Sequence, residues 1–246
     1  MGYISSLNAI LISWRGTVDI KNWIEDFTFY QIPYSSCRNC FIHEGFYISF
    51  LSVKQFTLAS LSSLLSHYSS AEIIVTGSSL GGALATVSAI ELQLRFGKVK
   101  ELHVFGCPRV GNDAYSKFLQ DKIERIYRVI HNHDIVPHVP LQSQNYHHPA
   151  TEVLFDEQMA KYRVCDDSGE DPSCSNAFSP NYTASDHITY WQQPDLVDLC
   201  TLWLAIIYNK IKMPSITDKN FRNFLFEGLG TIILVYGIGC ASQRSK

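Results

Sequence analysis

The sequence predicts an α/β domain built on a mostly parallel central sheet flanked by helices, and two observations carry that expectation. Short β-branched runs alternate with longer helical segments over the first 130 residues or so, and a glycine-rich turn joins one run directly to a small-residue helix. Composition agrees. A chain of 246 residues, 46% hydrophobic and 17% charged, can bury one sizeable core and leaves little for a second.

The elements follow in order. Gly2-Tyr3-Ile4 and residues 8–14 (NAILISW) read as two strands with a turn between, the second leaving the sheet at Arg15-Gly16-Thr17. Met1-Gly2 with Ser6 also matches an N-myristoylation pattern. Residues 20–27 place Ile20, Trp23, Ile24 and Phe27 on one helical face with Lys21, Asn22 and Glu25 opposite, which fits a core helix or a mobile amphipathic cover. Helical spacing holds over 46–68, residues 71–76 (AEIIVT) form a compact strand, and residues 77–82 turn tightly into a buried helix running to Phe96. Further strands are expected at 102–105, 126–130 and near Glu152, with a helix over 113–121.

Beyond Tyr190 the pattern degrades. Residues 202–208 are apolar, and 224–240 are apolar apart from Glu227 and four glycines. Neither supplies the roughly 20 uninterrupted apolar residues of a membrane span. The expected organisation is therefore one domain over 1–193 and an extension of unknown role over 194–246.

The formal net charge of −3, with both signs interspersed, leaves no electrostatic footprint for nucleic acid or an anionic membrane surface. A neutral or apolar substrate fits better. Among seven cysteines, Cys37 with Cys40 and Cys165 with Cys174 lie close together in loop-like sequence, which admits two local disulfides and an oxidising compartment. Zinc competes at Cys37-Arg-Asn-Cys40 with His43 nearby, although four convergent ligands are not evident. Asn181-Tyr-Thr183 is a glycosylation sequon, whereas the N-terminus carries no readable signal peptide.

Gly77-Ser78-Ser79-Leu80-Gly81 fits G-x-S-x-G, whose glycines let a strained strand-to-helix turn present one serine above the sheet. Ser79 is that serine; Ser78 occupies the variable position. A hydroxyl needs a base to take its proton and a carboxylate to orient the base, and in the α/β-hydrolase fold these follow as Asp or Glu, then His. Asp134 stands just past a strand and before the Pro137 turn. Nine histidines compete for the base role. His131, His133 and His138 flank Asp134 too closely to bridge back, and His147 and His148 precede a strand. His187, late in the chain near a helix start, fits the order. The oxyanion donors are expected from the Leu80 amide and from Thr17, with Gly16 permitting close approach.

Taken together, these stretches resemble the class 3 lipase family, the fungal-type triacylglycerol lipases and related feruloyl esterases. ILISWRGTVDIKNWIEDF, CRNCFIHEGFY, IIVTGSSLGGALA, VFGCPRVGN, HNHDIVPHVP, HHPATEVLF, CDDSGEDPSCSN and SDHITYW occur in family order between about Gly2 and Trp191. The resemblance implies a serine hydrolase of lipid esters working through an acyl-enzyme, with Ser79, Asp134 and His187 as triad and Thr17 and Leu80 as oxyanion residues. It also implies a lid helix over the site around Ile20, Trp23 and Ile24, and disulfides Cys37–Cys40 and Cys165–Cys174, hence a secreted or secretory-lumen protein. The substrate would be a lipid or other ester, met at an oil–water interface. No metal, no organic cofactor and no obligate protein partner are implied. A catalytically weak lipase-like protein and a feruloyl or short-chain carboxylesterase are the alternatives.

Three features depart from the family pattern. Ser78 stands where the family usually has His. The family has further helix and strands before this chain's first residue, so the N-terminal part of the fold is expected to be missing and Cys200 to lack its partner. The stretch beyond about Cys200, with Cys240, matches nothing in the resemblance.

Overall fold

The computed structural model describes residues 1–17 and 29–190. The expected lid at Ile20, Trp23 and Ile24 and the extension over 194–246, including Cys200 and Cys240, lie outside the described residues. Nine strands are described: β1 Gly2–Ile4, β2 Ala9–Trp14, β3 Gln31–Pro33, β4 Phe41–His43, β5 Glu72–Ser78, β6 Val99–Phe105, β7 Arg125–His131, β8 Glu152–Phe155 and β9 Tyr162–Val164. Four α-helices accompany them: α1 Glu44–His67, α2 Leu80–Phe96, α3 Asp113–Lys122 and α4 Ser185–Ile188.

The main sheet runs β1-β2-β5-β6-β7-β8-β9, with a separate β3–β4 hairpin. Strands β2, β5, β6, β7 and β8 are mutually parallel, and antiparallel β1 and β9 close the ends. The N-terminal strand pair is as expected, and the edge beside β2 is a three-residue strand, too short to template much pairing.

Alternation along the strands sends two sets of side chains to opposite faces. Ile10, Ile12, Ile73, Val75, Leu102 and Val104 meet the helices, and Leu11, Ile74, Phe105 and Val129 meet Ile4, Met159 and Tyr190. Helix α2 buries ten residues, most of them small, which lets its backbone approach the sheet closely. Gly97 in left-handed conformation ends it, its N–H bonding to the Gln93 carbonyl. Helix α1 buries only Phe46, Phe50, Thr57 and Leu61.

Strand β6 begins three residues earlier than its apolar run, because Glu101 interrupts the pattern but is held in the sheet by Arg125 at 2.6 Å and His103 at 2.7 Å. The zinc reading is overturned. Cys37 and Cys40 form a disulfide across the turn between β3 and β4, and Cys165 bonds Cys174 in the loop after β9. Buried ion pairs fasten that second loop. Arg109 grips Glu170 through two hydrogen bonds of 2.7 and 2.8 Å, and Arg128 reaches Glu152 and the Gly169 carbonyl.

Because β2, β5, β6 and β7 are parallel, the loops leaving them emerge at one end of the sheet. Arg15–Thr17, Ser79, Gly106 and Asn132–Asp134 all lie there, where open parallel sheets place their ligands.

Candidate active site

Ser79 is the pivot between β5 and α2. Its φ of 57° lies in the left-handed region, which costs a residue with a side chain about 1–3 kcal/mol and persists only where the surroundings enforce it. Here the enforcement is visible. The Ser79 N–H donates to the Phe105 carbonyl at 2.8 Å, and its own carbonyl accepts from Gly82 and Ala83 as α2 begins.

The Arg15-Gly16-Thr17 loop presses against this turn. A Cβ on Gly16 would stand 2.8 Å from the Ser78 carbonyl and 3.2 Å from the Ser79 Cβ, so only glycine brings the loop this close. Thr17 and Leu80, the two expected oxyanion residues, are therefore carried on the two segments that flank Ser79, and both are half-buried.

The other expected residues meet on the far side of β6. His187 Nδ1 lies 2.9 Å from both Asp134 carboxylate oxygens, and both residues are fully buried. With Nδ1 donating to a carboxylate, the lone pair of the ring is left on Nε2. A Cβ on Gly106, whose φ is 53°, would fall 2.8 Å from Asp134 Oδ2 and 2.8 Å from His187 Cε1. The end of β6 is thus shared: Phe105 holds the Ser79 amide, and Gly106 makes room for the acid–base pair. Ser79 Oγ and His187 Nε2 are both enclosed and make no hydrogen bond among the described residues. Enclosed polar atoms without partners are uncommon, and a catalytic role is one explanation for them.

Asp134 is held by three donors. Besides His187, the Val136 N–H reaches Oδ1 at 2.9 Å and the Tyr190 hydroxyl reaches Oδ2 at 2.7 Å. Burial, followed by the Asp134 charge, pushes Tyr190 well above the ordinary phenol range, so it remains a donor. The loop carrying Asp134 is tied to the segment before α4 through Ile135 N–H to the Thr183 carbonyl (3.1 Å) and Thr183 N–H to the His133 carbonyl (2.7 Å). Asp186 adds bonds to the Asn132 side chain and the His133 amide, which places the neighbouring His187 over the carboxylate.

The competing histidines have other work. His131 is set between the Asp186 and Glu157 carbonyls, one beside each ring nitrogen, His133 bonds the Asn181 carbonyl, and His148 bonds the Pro137 carbonyl. His138 stacks on Tyr182 and is pushed down to about 4, first by burial and then by the Arg109 charge. Cys107, just past Gly106, is a buried thiol raised to about 12 by burial, so it is neutral and no nucleophile. Glu152, Cys165 and Cys174 cluster closely enough for a metal, but the two thiols are joined as a disulfide.

Tyr190 and Gly106 were not anticipated from the sequence. Tyr190 had a faint signal, since it stands three residues after His187 and returns on the same side of one helical turn. Gly106 had none, because nothing local shows that a distant pair will press on it.

A family model described as "Lipase (class 3)" matches residues 11–144, more than half of the chain. The chain belongs to the class 3 lipase family. A Rhizomucor miehei lipase is 31% identical over 191 residues, covering 76% of this chain and 53% of that protein. A protein of Fusarium solani named secreted mono- and diacylglycerol lipase 1 is 32% identical over 200 residues, covering 77% and 59%. Among solved structures, a triacylglycerol lipase described as having a serine protease triad at its catalytic centre superposes with a TM-score of 0.71 at 31% identity, covering 76% of this chain and 72% of that one. The chain thus shares the α/β-hydrolase fold of class 3 lipases, and it spans about half the length of the curated relatives it matches.

Proposed function

We propose that this chain is a carboxylic ester hydrolase of the lipase type, in which Ser79 attacks the ester carbonyl, His187 carries the proton and Asp134 orients the base. Ser79 Oγ would bond the acyl carbon while its proton passes to His187 Nε2. The alkoxide leaving group then takes that proton, and water repeats the sequence on the acyl-enzyme. The amides of Leu80 and Thr17 would receive the oxyanion. The observation that carries this reading is the buried His187–Asp134 pair abutting Gly106, next to the residue whose carbonyl holds the strained Ser79.

The substrate is proposed to be an acylglycerol-like lipid ester met at an oil–water interface, supported by the names of the relatives and by the absence of a one-sign charge field. A secretory location is supported by the two disulfides, which persist in oxidising compartments. No chemistry in this scheme calls on a cofactor.

The test is hydrolysis of p-nitrophenyl butyrate and p-nitrophenyl palmitate by the purified chain, with Ser79→Ala beside it. Loss of a triad nucleophile costs on the order of 10⁴–10⁶ in kcat. The ratio of the two esters then separates a long-chain lipase from a short-chain or feruloyl-type esterase. Equal rates for folded wild type and Ser79→Ala would leave a lipase-like scaffold without catalysis.

A further inference from the structure

Helix α1 is more apolar than its packing requires. Its 24 residues have a mean hydropathy of 1.3 over their most apolar window, matching a membrane-crossing helix in length and composition, yet only 17% of that window is buried. It does not span, because Phe46, Phe50, Thr57 and Leu61 are committed to the core. The surplus lies on the outside. Ile48, Leu51 and Phe56 are 55%, 41% and 78% exposed, and with Ser52, Gln55 and Ala59 they share one face at helical spacing.

Two properties give that face a direction. From Ile48 to Ala59 it carries no charge: the lone lysine of the helix, Lys54, is turned to Glu91 at 2.6 Å, and the one acidic residue, Glu44, opens the helix one turn before Ile48 on the same side. It is also graded. The large exposed apolar residues occupy the half up to Phe56, whereas the exposed positions beyond it are Ala59, Ser60, Ser62, Ser63, Ser66 and His67. The helix ends at His67 and the chain enters β5 at Glu72, so the serine-rich end lies where the parallel strands begin. The apolar end therefore lies where they finish, at the end that carries Ser79 and Asp134. Tyr30, 71% exposed, adds to it, since its carbonyl accepts the Glu44 N–H at the start of α1.

We propose that the first four turns of α1, through Ile48, Leu51 and Phe56, form a docking face for an uncharged lipid surface, presenting the active-site end of the sheet to it. The inference rests on the reading that the chain works on lipid esters. An apolar face with no basic residue and one carboxylate, Glu44, at its start matches an uncharged partner, since adsorption to anionic lipid draws on basic residues that this face lacks. The serines set the limit of immersion, because their end of the helix remains in water.

The experiment measures partition of the full chain carrying Ser79→Ala onto trioleoylglycerol emulsions coated with phosphatidylcholine, by flotation. Ile48→Ser combined with Phe56→Ser is expected to lower the partition coefficient by about 10-fold or more, since two large apolar side chains leave the interface. Ser63→Ala should leave it unchanged, and added salt should not weaken it. In the Ser79-intact chain the double variant should keep its rate on soluble p-nitrophenyl butyrate, which shows that it folds. Equal partition of wild type and double variant would overturn the proposal, as would partition that requires anionic lipid. A concentration-dependent dimer abolished by the same substitutions would overturn it too, assigning the face to a second copy. Absence of hydrolysis with partition and its sensitivity intact would count against the catalytic reading alone.

Discussion

The two halves of the candidate site are built in opposite ways. Ser79 is strained and its hydroxyl makes no hydrogen bond among the described residues, held by two backbone segments and a shared sheet end. Asp134 is relaxed and saturated, with Val136, Tyr190 and His187 all directed at one carboxylate. The contrast separates two roles that a catalytic group can have. A nucleophile must be left reactive, so its surroundings store strain. An orienting acid must not move, so its surroundings satisfy it. Altering either side should cost activity, whereas stability should fall when the acid is altered and hold or rise when the strained serine is.

The largest expected effect comes from breaking the saturated side. Asp134→Asn keeps the shape but presents an amide where His187 Nδ1–H needs an acceptor, favouring the wrong tautomer, and kcat should fall on the order of 10⁴-fold. Melting temperature should fall as well, since an amide nitrogen set against the Val136 N–H or the Tyr190 hydroxyl leaves a buried donor unpaired. A rate within 10-fold of wild type would show that the carboxylate does not orient the base.

A smaller effect concerns the same loop four residues on. His138 is held near 4 against an ordinary 6.5, by burial first and Arg109 second. The unfolded chain therefore binds a proton before the native protein does. Stability is fully present above pH 6.5 and is lost as pH falls toward 4, by roughly 3 kcal/mol at about 1.4 kcal/mol per pH unit. Denaturant titrations across that window should show the slope, and His138→Gln should reduce it without abolishing it, because His148 is lowered in the same direction by burial. An unchanged slope in His138→Gln would contradict the assignment.

The smallest effect sharpens the comparison from the strained side. Ser79→Gly removes the left-handed penalty and an unbonded buried hydroxyl, offset by the freedom glycine adds to the unfolded chain. Stability should hold or rise by up to about 1 kcal/mol while activity vanishes. A loss above about 1 kcal/mol would show that Ser79 is not strained in solution.

Legibility followed how local the determining forces are. Helix α2 was readable to its ends because small residues, a preceding β-branched run and Gly97 all act within a few positions. Ser79 was readable for the same reason. Asp134 and His187 were reached only through the order in which such groups occur, since no local pattern shows that Thr183 will pair beside Asp134. Strands β3, β4 and β9, three residues each, went unpredicted; β1 is as short but was read through the apolar run it turns into, and the β3–β4 turn is bridged by the Cys37–Cys40 disulfide. The charged start of β6 failed as a strand signal because the partners of Glu101 lie partly on the neighbouring strand. The exposed apolar face of α1 was hidden by its own composition: helical spacing of apolar residues reads as core until only three of them, Phe46, Phe50 and Leu61, are seen to be fully buried.

The most direct test of the central claim, that Ser79 is a nucleophile activated by His187 and Asp134, is covalent titration with a p-nitrophenyl alkylphosphonate followed by peptide mass spectrometry. Ser79 Oγ would displace p-nitrophenolate from phosphorus, so the release should be stoichiometric, with one phosphonyl adduct on the peptide containing Ser79. His187→Ala should show neither release nor adduct on the same time scale. An adduct on another residue, or none on a protein that is demonstrably folded, would contradict the account.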